Sequence, residues 1–178
     1  MIRLFAAIEI PGTVRTRLSF LQGGVPGARW SPAENMHLTL RFIGEVDEAT
    51  ANDIDDVLSG LHAPAFELTL KGAGEFGGRD PHALWVGVAP NEALMRLAAK
   101  VESGLQRMGL QAETRKYAPH VTLARLRDAP IAKVREFLAA HALFDSGPFA
   151  VSGFTLFSSH GSSNGSLYRP ERRYALSA

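Results

Sequence analysis

The chain has no cysteine among its 178 residues. Disulfide scaffolds, zinc sites built on thiolates, thiol redox chemistry and cysteine nucleophiles are therefore excluded, and any reactive group must be a histidine, a hydroxyl or a carboxylate. Net charge is equally scarce: 19 Lys and Arg stand against 18 Asp and Glu, leaving +1. A domain that coats nucleic acid by bulk electrostatics carries a strong basic excess, so a polyanion would have to be gripped locally. Long apolar runs are missing as well. The N-terminal run Leu4 to Ile8 is cut by Glu9, too soon for a secretory signal, and nothing approaches the roughly 18 apolar residues of a membrane span. These absences point to a cytoplasmic chain with no membrane partner.

What is present suffices for a full hydrophobic core in one domain or two small lobes, since 46% of the residues are hydrophobic. Charge is unevenly distributed along the chain. Asp47, Glu48, Asp53, Asp55 and Asp56 form an acidic stretch, whereas Arg115, Lys116, Arg125 and Arg127, and then Arg169, Arg172 and Arg173, form basic ones. Each alone reads as a solvated face.

Periodicity gives an order of elements. Ile2 to Glu9 reads as a strand, and Pro11 suits the first turn of a helix with Val14, Leu18 and Leu21 inward. Met36 to Ile43 is a second strand. Asp47 predicts an N-cap for a helix carrying Ile54, Val57, Leu58 and Leu61 and ending near Gly60. Phe66, Leu68 and Leu70 alternate as a half-buried strand, a Gly-rich turn follows over 72–78, and Ala83 to Val88 is the next strand. Leu94, Leu97, Ala98, Val101 and Leu105 stripe a helix closed by Gly109. His120 to Arg125 (strand), Ile131, Val134 and Leu138 (helix), then Phe149 to Phe157 and Leu167 to Leu176 (strands) complete the chain.

The pattern strand, helix, strand, strand thus occurs twice, over about 36–90 and 119–178, and the two units open with nearly the same words: His37-Leu38-Thr39-Leu40 and His120-Val121-Thr122-Leu123. This predicts a tandem duplication within one bilobal domain, 1–178, whose lobes share a sheet-lined cleft. In a strand, residues two apart face the same way. His37 and Thr39 would share one face, as would His120 and Thr122, with Leu38, Leu40, Val121 and Leu123 behind them.

Two imidazoles and two hydroxyls on rigid platforms match a particular chemistry. Hydrolysis of a phosphodiester without metal needs a base to take a proton from water, an acid to protonate the departing oxygen, and donors for the phosphoryl oxygens. Imidazole supplies the first two near neutral pH; threonine hydroxyls and an arginine supply the third. A metal site is not indicated: no His-x-x-x-His lies on a helix and no carboxylate is placed beside either histidine. No cofactor is called for.

Paired His-x-Thr-x motifs in a duplicated chain of this length resemble the two-histidine phosphoesterase superfamily, specifically the RNA 2′,3′-cyclic phosphodiesterases also called 2′-5′ RNA ligases. The likeness extends to Arg3-Leu4-Phe5-Ala6-Ala7-Ile8, to Trp30, to Phe42-Ile43-Gly44-Glu45, to Pro119-His120-Val121-Thr122-Leu123-Ala124-Arg125, and to Leu156-Phe157-Ser158 with Gly165 and Tyr168. The resemblance implies an α+β bilobal fold, two antiparallel sheets lining a central cleft with helices outside. It implies metal-independent opening of 2′,3′-cyclic phosphates at RNA 3′ ends to 2′-phosphomonoesters. His37 would then be the proton donor, His120 the proton acceptor, Thr39 and Thr122 the phosphoryl ligands, and Arg125 the phosphate grip.

Strand parity sets Arg125, five residues after His120, on the opposite face unless the strand ends or bulges near Ala124. Arg41, four after His37, shares the histidine parity and is an alternative phosphate or backbone contact. Trp30, Phe5 and Tyr168 are candidates to stack on the bases of a single-stranded end. His62, His82, His141 and His160 lack a threonine partner and read as loop or helix-surface residues, with His160 in a Gly/Ser-rich loop over 158–166. The alternatives are end joining through a 2′-5′ linkage by the reverse reaction, hydrolysis of small cyclic nucleotides or 2′-5′ oligonucleotides, and non-catalytic binding of RNA ends. RNA 3′ ends or small cyclic-phosphate nucleotides are the expected partners, and a monomer the expected state.

Overall fold

In a computed structural model, which describes residues 1–178, nine strands are sorted into two antiparallel sheets. The first sheet holds β1 (Ile2–Glu9), β3 (His37–Val46), β8 (Gly153–Ser162) and β9 (Gly165–Ala175), in the order β3-β1-β8-β9. The second holds β2 (Ala28–Trp30), β4 (Phe66–Phe76), β5 (Ala83–Val88), β6 (His120–Leu126) and β7 (Asp145–Val151), in the order β2-β6-β5-β4-β7. Four helices, α1 (Gly12–Ser19), α2 (Glu48–Ser59), α3 (Glu92–Arg107) and α4 (Ile131–His141), pack on the faces turned away from the two histidines. One hydrophobic cluster runs through both sheets and all four helices, from Leu4 and Ile8 to Leu84, Val121 and Phe137. The fold class is thus α+β with two antiparallel sheets, as the resemblance implies. No helix is long and apolar enough to cross a membrane.

The helix boundaries follow their capping chemistry. Asp47 accepts a hydrogen bond from the Thr50 amide at 2.8 Å and starts α2, which Gly60 ends. Asn91 does the same for α3 through the Leu94 amide at 3.0 Å, while its own amide group donates to the Glu67 carbonyl and ties the helix to β4.

Neither half of the chain builds a sheet alone. With the edge strands β2 and β7 set aside, the topology runs strand–helix–strand–helix–strand from β1 and again from β5, and the third strand of each such run crosses over: β4 joins the second sheet and β8 the first. The segments 36–90 and 119–178 begin at the second strand of these runs, and each contributes to both sheets. Three local readings change with this. Residues 149–157 form two strands, because the chain passes from one sheet to the other at Ser152; there a Cβ on Gly153 would lie 2.7 Å from the Tyr174 carbonyl oxygen. The glycines over 72–76 belong to β4, with a bulge at Gly72 (φ 72°), and the turn begins at Gly77. Likewise residues 158–162 and 165–166 extend the β8–β9 hairpin, so His160 is a strand residue; its Nε2 lies 2.8 Å from the Ser158 hydroxyl, on the side away from the cleft.

Candidate active site

The two motifs fold alike, residue by residue. In β3 and in β6 the burial runs half-buried histidine, buried aliphatic, half-buried threonine, then two buried residues, then an exposed one. The two consecutive buried residues mark a bulge. Thr39 pairs with Ala7 and Arg41 with Ala6, leaving Leu40 unpaired; Thr122 pairs with Trp85 and Ala124 with Leu84, leaving Leu123 unpaired. An extra residue in one strand inverts the facing of everything after it. Arg125 therefore returns to the face of His120 and Thr122, and Phe42 to the face of His37 and Thr39. Arg41 is turned the other way.

Each imidazole is oriented by its own strand entry. Nδ1 of His37 lies 2.7 Å from the Asn35 carbonyl oxygen and Nδ1 of His120 lies 2.6 Å from that of Ala118. A carbonyl can only accept, so both rings carry their proton on Nδ1 and leave Nε2 as the reactive atom. Burial pushes the pKa of His37 below its ordinary value, the Asn35 carbonyl opposes this, and the charge on His120 adds to the lowering. The rings thus sense one another across the cleft. The Tyr117 hydroxyl, three residues before His120, donates to the Thr39 carbonyl at 2.8 Å and pins the second motif to the first.

Aromatic rings surround both histidines. Phe5 packs against His37 with centroids 4.8 Å apart, and Tyr168 meets it edge-on at 5.2 Å. Phe76 meets His120 edge-on at 4.9 Å, and Trp85 lies 6.0 Å away. The Trp85 indole lies flat against the backbone: a Cβ on Gly74 would fall 2.2 Å from its ring, and one on Gly87 3.2 Å. Opposite His37 in the ladder stands Glu9. Its carboxylate accepts from Arg173 at 2.8 and 3.1 Å and from the Thr155 hydroxyl at 2.8 Å. Arg173 outweighs burial and, with Thr155, holds Glu9 below the usual carboxylate range.

His37, Thr39, His120, Thr122 and Arg125 therefore share the cleft, and the exposed Arg125 meets no carboxylate. Four other candidates stand differently. Arg41 is buried and bonded to Glu102, to the Phe42 carbonyl at 2.5 Å and to the Gln111 carbonyl at 2.5 Å, so each of its guanidinium nitrogens serves its own strand, α3 or the loop after α3; it is the backbone contact, not a phosphate ligand. Trp30 pairs with Ala124 and packs on Phe137 of α4 at 5.7 Å, on the core side, where no base can reach it. Phe5 is 1% exposed and supports the His37 ring instead of offering a stacking face. Tyr168 is half-buried beside His37, in the cleft. Sequence reading missed Trp85, Phe76, Glu9 and Tyr117. Trp85 carried one signal: the glycines at 74 and 87, in adjacent strands, mark a place where a large ring approaches the backbone. No three His, Asp or Glu side chains converge as a metal ion would require.

The chain is similar to known proteins along most of its length. The family model of the 2′-5′ RNA ligase superfamily matches residues 16–163. The RNA 2′,3′-cyclic phosphodiesterase of Thermotoga maritima is 33% identical over 175 residues, which is 94% of this chain and 91% of that protein. The protein so named in Escherichia coli is 31% identical over 182 residues, 98% of this chain and 96% of its own. The crystal structure of E. coli LigT complexed with 3′-AMP superposes with a TM-score of 0.81 at 30% identity, covering 99% of each chain.

Proposed function

The chain belongs to the 2′-5′ RNA ligase superfamily, and we propose from that membership and its cleft that it hydrolyses RNA 2′,3′-cyclic phosphate ends to 2′-phosphomonoesters without a metal. The observation that carries this is the pair of imidazoles, each with Nδ1 tied to a carbonyl two residues upstream and Nε2 left to act.

His120 Nε2 takes a proton from water as the water oxygen attacks phosphorus. The bond from phosphorus to the 3′ oxygen breaks, and His37 Nε2 delivers its proton to that oxygen, leaving the phosphate on the 2′ position. Thr39 and Thr122 donate to the non-bridging oxygens, and Arg125 neutralises the charge that grows there. The assignment of His37 as donor and His120 as acceptor follows the family, and the asymmetry of the surroundings is compatible with it: the donor sits in the more apolar wall, where a proton is released readily. Tyr168, beside His37, is placed to meet the ribose or base. The E. coli relative binding 3′-AMP supports a cleft of nucleotide size. Both motifs come from one chain, so a monomer completes the site.

The test is turnover of an RNA oligonucleotide ending in a 2′,3′-cyclic phosphate. The wild-type protein yields a 2′-phosphate and is indifferent to EDTA, and His37→Ala and His120→Ala each lower kcat by about 10²- to 10⁴-fold while remaining folded by circular dichroism. Loss of activity on chelation, or full activity in both variants, overturns the mechanism.

A further inference from the structure

β2 has no counterpart in the first sheet, where β3 is the edge strand; in the second sheet it flanks β6 on the outside. Its middle residue, Arg29, pairs directly with Arg125. Directly paired residues project from the same face of a sheet, so the two guanidinium groups leave the cleft face side by side. Both residues are exposed. Six of the fifteen arginines meet a carboxylate, and Arg29 and Arg125 are among the nine that do not. Like charges opposite one another in a strand pair are destabilising, and here nothing in the protein offsets them.

Arg29 also reaches across the cleft. A Cβ on Gly165, at the tip of the β8–β9 hairpin of the other sheet, would stand 3.0 Å from its Nη2. That tip is held by Asn35, whose side-chain amide donates to the Ser166 carbonyl at 2.9 Å. The carbonyl of the same Asn35 accepts from His37 Nδ1. The hairpin tip thus brings the Arg29 guanidinium and the ring of His37 to the same end of the cleft.

We infer that Arg29 is a second phosphate-binding residue, which shares with Arg125 the non-bridging oxygens of the cyclic phosphate. Two guanidinium forks offer parallel donors in the geometry a phosphate accepts, and the anion removes the repulsion between them. The glycine at 165 keeps the space through which Arg29 passes. This assignment rests on the hydrolysis proposed above and adds to it a residue that the motifs do not contain.

The experiment is steady-state kinetics on a 2′,3′-cyclic mononucleotide, which carries one phosphate, with inorganic phosphate as competing ligand. Arg29→Ala is expected to lower kcat/KM by about 10- to 100-fold and to raise the phosphate inhibition constant by a similar factor, and Arg29→Lys to recover part of both, as for loss of a charge-assisted contact. The double variant Arg29→Ala/Arg125→Ala should lose less than the product of the single losses, because the two share one group. Unchanged kinetics and phosphate inhibition in Arg29→Ala overturn the inference. So does a loss seen only with an oligonucleotide, which would place Arg29 on an upstream phosphate. Should the wild type turn over no cyclic phosphate, the hydrolase reading fails, and thermal stabilisation by inorganic phosphate still decides the clamp: present in wild type and reduced in Arg29→Ala upholds it, equal in both overturns it.

Discussion

Phe42 and Arg125 occupy the same place in the two motifs, each the first residue to regain the cleft face after the bulge that follows its threonine. One is an exposed aromatic stacked at 6.0 Å on Phe5, the other an exposed cation without a carboxylate partner. Half of the site is therefore built to stabilise negative charge and the other half is not, although the histidines and threonines are matched. Arg125→Ala should lower kcat/KM on a cyclic phosphate by about 10²- to 10³-fold, the scale of a lost donor to a developing oxyanion. Phe42→Ala should cost less than about tenfold, the scale of one stacking contact. Equal losses in the two variants would mean that the asymmetry has no part in the chemistry.

The pH dependence follows from His37. As the proposed proton donor it must be charged before reaction, yet burial lowers its pKa from an ordinary value of about 6.5 and the charge on His120 lowers it further. The alkaline limb of kcat/KM, which reports the free enzyme, should therefore fall below that ordinary value. The limb of kcat should lie higher, because the bound phosphate anion favours the charged ring. The same shift affects stability. Between the folded and unfolded pKa values the unfolded chain binds more protons, so the contribution of His37 is complete above about 6.5 and is lost as pH falls through the lowered folded value. Urea titrations across that range should show stability dropping with acid in the wild type and a smaller drop in His37→Gln.

Most of the fold was legible because its signals are local. Asp47 and Gly60 bracket α2, the stripe Leu94 to Leu105 marks α3, and the repeated words at His37 and His120 mark the site. What was not legible depends on pairing between distant strands. A bulge at Leu40 and another at Leu123 leave no mark in alternation, since aliphatic residues occupy the extra positions either way; they reverse the parity that had favoured Arg41 over Arg125. The partners of the motif strands were hidden for a related reason. β1 pairs with β3 and β5 with β6, yet β1 and β5 share no word, because neither carries a motif histidine, and the passage of β4 into the second sheet and β8 into the first is a property of the whole topology. Trp30 read as a base platform because an aromatic residue in the sequence does not say which side of a sheet its ring lies on; pairing with Ala124 puts it on the core side.

Arg41 provides a test that separates structure from chemistry. Burial alone would raise the pKa of Glu102, but Arg41, Gln106 and the Glu113 amide together hold it below the usual range, so the carboxylate is charged and depends on Arg41. Arg41→Met removes the cation, keeps the volume and strands that charge. The expected cost is about 3 kcal/mol of stability, read from chemical denaturation, with kcat/KM within twofold of wild type at a temperature where the variant is folded. Adding Glu102→Gln should return part of the stability. A large kinetic defect in folded Arg41→Met would instead put Arg41 back in the phosphate site.

Gly74 probes the wall behind His120. A methyl group there would overlap the Trp85 ring at 2.2 Å, far inside contact distance, and the ring cannot sink because β4 and β5 backbone lies beneath it. The indole must tilt into the cleft, toward His120 and Phe76, which pack with it. Gly74→Ala should therefore destabilise the protein by about 1–3 kcal/mol, as overpacking does, and lower kcat more than it raises KM, because what is displaced is the orientation of His120, the proposed proton acceptor. Trp85→Phe in the Gly74→Ala background should relieve the overlap and recover stability, a reversal that general damage to β4 would not show. If Trp85→Phe leaves the Gly74→Ala defect untouched, the overlap is not its cause and the indole does not set the position of His120.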